Sequence, residues 1–170
     1  MNVIEAIRAK RSVRQFQDKP LPEESVTAIL EAGRRAQSSR NSQPWHFIAI
    51  RDKNRLKALA DISRYAGHLA GAALGVVILT PPPENLYTIM FDAGQAAAYM
   101  QLAALELGIA SCLGSIVGVD EARKLLGFPA DLQARMAISF GYPLPPAAPL
   151  SPPKKGGRRP LAEVVHWEKW

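Results

Sequence analysis

The sequence is poor in the groups that usually announce chemistry. Cys112 is its only cysteine, which excludes an intramolecular disulfide or a thiolate metal cluster and favours a reduced, intracellular, cytoplasmic setting. The three histidines, His46, His68 and His166, are dispersed, without metal-ligand spacing, so each reads as a surface or structural residue and no metal site is expected. There is no Walker loop, no G-x-G-x-x-G and no G-x-S-x-G elbow, which removes the strongest support for kinase and hydrolase readings. Long apolar runs are also lacking. The longest, residues 86–107, is interrupted by Asp92, Gln95, Gln101 and Glu106, polar groups that a bilayer would not tolerate cheaply, so a buried helix is expected and a membrane partner is not. The first ten residues alternate polar and apolar, unlike a signal peptide.

What is present is an ordinary globular composition, 48% apolar and 21% charged over 170 residues, sufficient for one hydrophobic core and hence one domain over residues 1–170. Lys and Arg outnumber Asp and Glu by 21 to 15, a net charge of +6, which points to an anionic partner.

Asn2 with Glu5 forms a capping-box start for a helix running to about Lys10. Pro22 opens a second helix, with Val26, Ile29, Leu30 and Gly33 as its inward stripe. Residues 45–50 read as a strand and residues 52–63 as a helix with Leu56, Leu59 and Ile62 on one face. A strand over 75–80 is stopped by Pro81, Pro82 and Pro83. The Ala-rich helix from Leu86 to Leu107 follows, apolar on most sides, closed by Gly108 and so placed at the centre of the domain. Residues 109–113 read as a strand, 120–126 as a helix capped by Asp120 and stopped by Gly127, and 133–142 as the last strand. Helices between successive strands permit a parallel sheet, and an antiparallel one remains open.

From residue 143 to 160 the composition shifts, with seven of the 14 prolines and Lys154, Lys155, Arg158 and Arg159. Such a chain is extended and solvated. It ends in Leu161, Val164, Val165, Trp167 and Trp170, which need a surface to bury against, either on their own domain or on a partner subunit.

The cations concentrate at two places. Lys10, Arg11 and Arg14 surround Ser12, and Lys154, Lys155, Arg158 and Arg159 occupy the last segment; guanidinium forks completed by a hydroxyl suit a phosphate. Lys10-Arg11-Ser12-Val13-Arg14, then Ser38-Ser39-Arg40-Asn41-Ser42-Gln43-Pro44-Trp45, then Gly108-Ile109-Ala110-Ser111-Cys112-Leu113-Gly114-Ser115, then Arg158-Arg159-Pro160-Leu161 follow in that order across nearly the whole chain. Together they resemble the FMN-dependent nitroreductase family.

That resemblance implies an α+β, three-layer fold with a central antiparallel sheet flanked by helices. It also implies a homodimer exchanging its C-terminal arms, residues 143–170, with FMN at the subunit interface and NAD(P)H as co-substrate. Lys10, Arg11, Ser12 and Arg14 would contact FMN along its phosphate, ribityl and pyrimidine side, with Arg158 joining the phosphate cluster. Ser38, Ser39 and Asn41 match the segment contributed by the other subunit. Leu113, Gly114 and Ser115 match the strand-end turn whose backbone N–H faces flavin N5, Gly114 or Ser115 being the donor. Arg14 and Gly114 are thus the residues expected to serve catalysis directly. A cation such as Arg14 beside the N1 and O2 edge favours hydride acceptance, and the cofactor carries the reaction, so no catalytic His or Cys is required.

The implied activity is ping-pong transfer of hydride from NAD(P)H through flavin to a nitroaromatic, quinone or similar acceptor. A dehalogenating or flavin-fragmenting enzyme on the same scaffold is the alternative. A basic nucleic-acid-binding module is the rival from another class, opposed by the absence of aromatics between the basic residues.

Overall fold

Four strands and five helices organise the residues that a computed structural model describes, 1–82, 87–144 and 157–170. Leu86, Pro83, Lys154 and Lys155 of the expectations above lie outside them.

Helix α1 (Val3–Ala9) carries the capping box, Asn2 accepting from the Glu5 amide while Glu5 accepts from that of Asn2. Helix α2 (Glu23–Arg34) buries Val26, Ile29 and Gly33. Strand β1 (His46–Ile50) leads to α3 (Lys53–Ile62), capped by Asp52. A 3-10 turn (Gly67–Gly71) then delivers β2 (Leu74–Thr80), followed by α4 (Thr88–Glu106), β3 (Ala110–Ser115), α5 (Val119–Leu126) and β4 (Gln133–Gly141). Helix α5 starts one residue earlier than expected. Gly118 precedes it, while Asp120 sits in its first turn and pairs with Arg123 at 2.6 Å. Gly127 stops it with φ 72°.

The sheet order is β1-β2-β4-β3 and every neighbouring pair is antiparallel. The pairing follows from the crossover. Helix α4 returns the chain so that β2 and β3 run the same way with a vacant lane between them, and β4 fills the lane antiparallel to both.

Strand alternation separates two cores. Leu74, Val76, Ile78, Ile138 and Phe140 face α2 and α4, whereas Val77, Leu79, Ala134 and Ala137 face α3, α5 and the 3-10 turn. The result is three layers, helices on both sides of the sheet. Helix α2 approaches α4 closely because Gly33 has no Cβ; one would stand 2.2 Å from the Met100 Cε. Helix α4 departs from its expected central place. It buries Ala93, Ala96, Ala97, Met100 and Ala104 against the sheet and α2, but Phe91 is 72% exposed and Tyr87 75%. Its outer face is uncovered in the single chain.

Candidate functional site

Strand β3 lies at an edge of the sheet, and the basic segment after α1 docks along that edge. The Val13 amide donates to the Ser111 carbonyl at 3.0 Å, and Ser12 pairs with Ser111 in a parallel bridge. Further on, the Gln17 amide donates to Tyr142 O at 2.8 Å and the Leu144 amide to Gln15 O at 3.2 Å. Lys10, Arg11, Ser12 and Arg14 are therefore placed by backbone bonds, independently of their side chains.

The ladder decides which amides of β3 face outward. Ser111 turns its carbonyl to Val13, Phe140 turns its own to Ala73 of the β2 side, and the Ile116 amide donates to Arg135 of β4. With the register Gly114↔Ala137, antiparallel alternation sends the Gly114 amide into the sheet and leaves those of Leu113 and Ser115 on the free edge. This corrects the expectation for Gly114 as amide donor, and residues 113–115 lie within the strand rather than in a turn. Gly114 matters sterically instead. A Cβ there would stand 2.7 Å from His68 Nε2, 2.8 Å from Tyr65 O and 3.2 Å from Ala66 Cα. The Ser115 carbonyl accepts from the Ser63 hydroxyl, which ties the strand end to the residues following α3.

The cations along the same edge lack ion-pair partners among the described residues. Arg34, Arg35, Arg51, Lys53 and Arg123 all pair with carboxylates. Among the described residues, Lys10, Arg11, Arg14 and Arg158 form no ion pair; Arg11 donates only to the carbonyls of Arg8 and Lys10, at 2.6 and 3.0 Å. Burial lowers the Lys10 ammonium below its ordinary pKa, against an upward pull from Cys112 and with Arg14 adding to the fall. Concentrated cations without acids are a site an anion would relieve.

His68 belongs to this cluster, although the sequence suggested only a surface or structural role. Its Nδ1 lies 2.7 Å from the Ser139 hydroxyl, while its Nε2 is buried without a partner among the described residues. Burial first, and then Arg14, lower its pKa. The unfolded chain therefore takes up this proton earlier as pH falls. The His68 contribution to stability is present above pH 6.5 and lost as pH drops from there through the lowered folded value. Urea midpoints at several pH values should show a steeper loss below pH 6.5 in the wild type than in His68→Gln; identical slopes would contradict this.

A cavity of about 280 Å³ opens between the end of α1, the end of α4 and the start of β3, lined by Lys10, Arg11, Val13, Gln101, Leu105 and Ser111 among others. That is slightly below the roughly 300–1,000 Å³ of complete ligand pockets. The remaining expected residues are elsewhere. Ser38, Ser39 and Asn41 sit beside the N-terminal part of α4, where the Ser39 amide donates to Asp92. The cavity meets α4 at Gln101 and Leu105, nine and thirteen positions on from Asp92, about 13 to 20 Å along the axis. Arg158 lies in the exposed segment 157–170, in which Trp167 is 82% and Trp170 97% exposed. One chain thus assembles Lys10, Arg11, Ser12 and Arg14 with Leu113, Gly114 and Ser115. No described hydrogen bond joins Ser38, Ser39, Asn41 or Arg158 to them.

A family profile described as Nitroreductase family matches residues 7–86 and 65–142, which takes in the whole β3 edge and the segment docked on it. The chain belongs to the nitroreductase family. A protein of Archaeoglobus fulgidus, provisionally named NADH dehydrogenase/NAD(P)H nitroreductase, is 31% identical over 147 residues, 82% of this chain and 84% of its own. An FMN reductase [NAD(P)H] of Bacillus subtilis is 25% identical over 190 residues, 99% of this chain and 74% of its own. Among solved structures, an FMN-dependent nitroreductase of Clostridium difficile R20291 superposes with TM-score 0.82 at 26% identity, covering 99% of this chain and 100% of that one. For this nitroreductase-family chain, the antiparallel three-layer architecture is therefore the family's own. No described helix is long and apolar enough to cross a membrane.

Proposed function

We propose that this protein is an FMN-dependent oxidoreductase that moves hydride from NAD(P)H to an oxidised organic acceptor, a nitroaromatic or quinone, by a ping-pong cycle. The observation that carries the reading is the docking of acid-free Lys10, Arg11 and Arg14 along a strand edge whose Leu113 and Ser115 amides face the same way. These features fit an anionic flavin nucleotide: cations lacking counter-ions, outward amides, and an orphaned buried Nε2 on His68.

In that reading Lys10, Arg11 and Ser12 hold the phosphate and ribityl side, and Arg14 places permanent positive charge at the pyrimidine edge. The Ser115 or Leu113 amide, rather than that of Gly114, orients the ring edge at N5. When bound, the flavin supplies the hydride chemistry that no side chain here could perform. In the same reading Ser38, Ser39, Asn41 and Arg158 complete the site from a second copy. The homodimer accounts for the uncovered apolar residues on α4 and for the tail: Phe91, Tyr87, Leu161, Trp167 and Trp170 are all more than two-thirds exposed in the single chain. Residues 1–170 then act as one cytoplasmic domain whose segment 143–170 is the exchanged arm.

The test is an absorbance spectrum of the purified protein followed by anaerobic titration with NADH and NADPH. A yellow protein bleached by a stoichiometric nicotinamide and recoloured by a quinone is expected; a colourless protein that takes up no added FMN overturns the reading. Parallel lines in initial-rate plots would mark the ping-pong order, and intersecting lines would exclude it.

A further inference from the structure

We infer that Asp92 is a positioning residue that holds the Ser38, Ser39 and Asn41 contacts in shape, and that it acts in trans, on the flavin site of the partner chain. The inference rests on the reading proposed above.

Asp92 is 4% exposed and stands on α4 beside Ile89, Ala93 and Ala96. A carboxylate buried this far is normally neutralised by a cation. Among the described residues Asp92 has no ion pair; both its oxygens accept from one group, the Ser39 amide, at 3.1 and 3.2 Å. What Asp92 secures is an unusual stretch of chain. Arg40 and Asn41 at φ 54° and Gln43 at φ 47° occupy the left-handed region without being glycine, a strained run that persists only when its surroundings determine it. The Ser38 hydroxyl accepts from the Gln43 amide at 2.9 Å, and the Gln43 side chain donates to Asn41 Oδ1 at 3.2 Å. Those bonds close the loop on itself, and the Asp92 bond fastens it to the helix.

Ser39, which Asp92 holds, has no described hydrogen bond to the Lys10 and Arg14 cluster of its own chain. On the reading proposed above, the Ser38, Ser39 and Asn41 segment serves the cluster of a second copy, so Asp92 and Arg14 must complement each other between chains.

The experiment uses Asp92→Ala, Asp92→Asn and Arg14→Ala as full-length homodimers, and a doubly tagged heterodimer of Arg14→Ala with Asp92→Ala. Free FMN is the probe, followed by quenching of its fluorescence, and hydrogen exchange at Ser39 is measured on flavin-free protein. Asp92→Ala is expected to bind FMN about 10- to 100-fold more weakly, as loss of a charge-assisted bond implies, and to lose protection at the Ser39 amide. Asp92→Asn, whose amide oxygen still accepts, falls between it and the wild type. The heterodimer keeps one undamaged site, so it should hold one FMN per dimer at wild-type affinity. Wild-type affinity in both Asp92 homodimers overturns the positioning role, and a heterodimer without any tight site overturns action in trans. Should Asp92→Ala fail to fold, Asp92→Asn at wild-type affinity overturns the role by itself. A wild-type protein that binds no FMN defeats the functional reading itself, an outcome distinct from either of these.

Discussion

Arg14→Ala is expected to weaken FMN retention by about 10- to 100-fold, the range for a bond to a charged partner, and to slow hydride acceptance further. Two effects combine. The substitution removes a cation that no carboxylate balances, and it removes the charge that would favour electron density at the pyrimidine edge. Arg14 also lowers the pKa of both Lys10 and His68, so its loss should raise both in flavin-free protein, which NMR titration can follow. Arg34→Ala is the control. Arg34 pairs with Glu31 at 2.6 Å on the exposed face of α2, holding that carboxylate at about 2, and its removal should leave flavin affinity unchanged. Arg158→Ala should weaken FMN in the same sense as Arg14→Ala. If neither variant differs from wild type in a fluorescence titration, the site is wrongly assigned.

Gly114→Val should be more damaging to the fold around the site. Two of the three atoms that even a Cβ would meet are backbone, Tyr65 O and Ala66 Cα, and backbone cannot swing away as a side-chain end can. Strand β3 would have to lift from residues 63–71, carrying with it the outward amides of Leu113 and Ser115 and the bond from Ser63 to the Ser115 carbonyl. A destabilisation of about 1–3 kcal/mol is expected for overpacking of this kind, read from urea midpoints, with turnover falling further than the folded fraction alone explains. At Gly71 a Cβ meets nothing within 4 Å, so Gly71→Ala should be close to neutral. Equal stability and turnover in Gly114→Val and wild type would contradict the role given to that close approach.

Much of the secondary structure was legible because its causes are local. The capping box of Asn2 and Glu5 and the Gly127 stop each act within a few residues and appear as read. The inward stripes of α2 and α3 follow from period alone. Cys112 reads correctly as a core residue, 1% exposed. Sheet direction was not legible, since helical connections allow either sense and the vacant lane between β2 and β3 is created only once α4 has crossed the sheet. The surroundings of α4 were misjudged for a related reason: an alanine-rich, mostly apolar helix looks the same whether its second face meets its own core or lies open.

At the candidate site, the sequence by itself determined the kinds of group available and where they cluster along the chain: Lys10, Arg11, Ser12 and Arg14 in one short run, Leu113, Gly114 and Ser115 in another, and a basic, apolar-ended tail with Arg158. These follow from residue type and local spacing, and so did the family resemblance. Only the tertiary structure decided how they meet. Pairing parity along β3 turns the Gly114 amide inward and those of Leu113 and Ser115 outward, and that parity is set by β4, more than twenty residues away in sequence. His68 joins the cluster only because the turn over Gly67–Gly71 packs on Gly114, and Asp92, which reads as an interruption in an apolar helix, proves to hold the Ser39 amide. Each of these depends on contacts between residues far apart in the chain, formed when strands and helices pack, and no local pattern of residues encodes them.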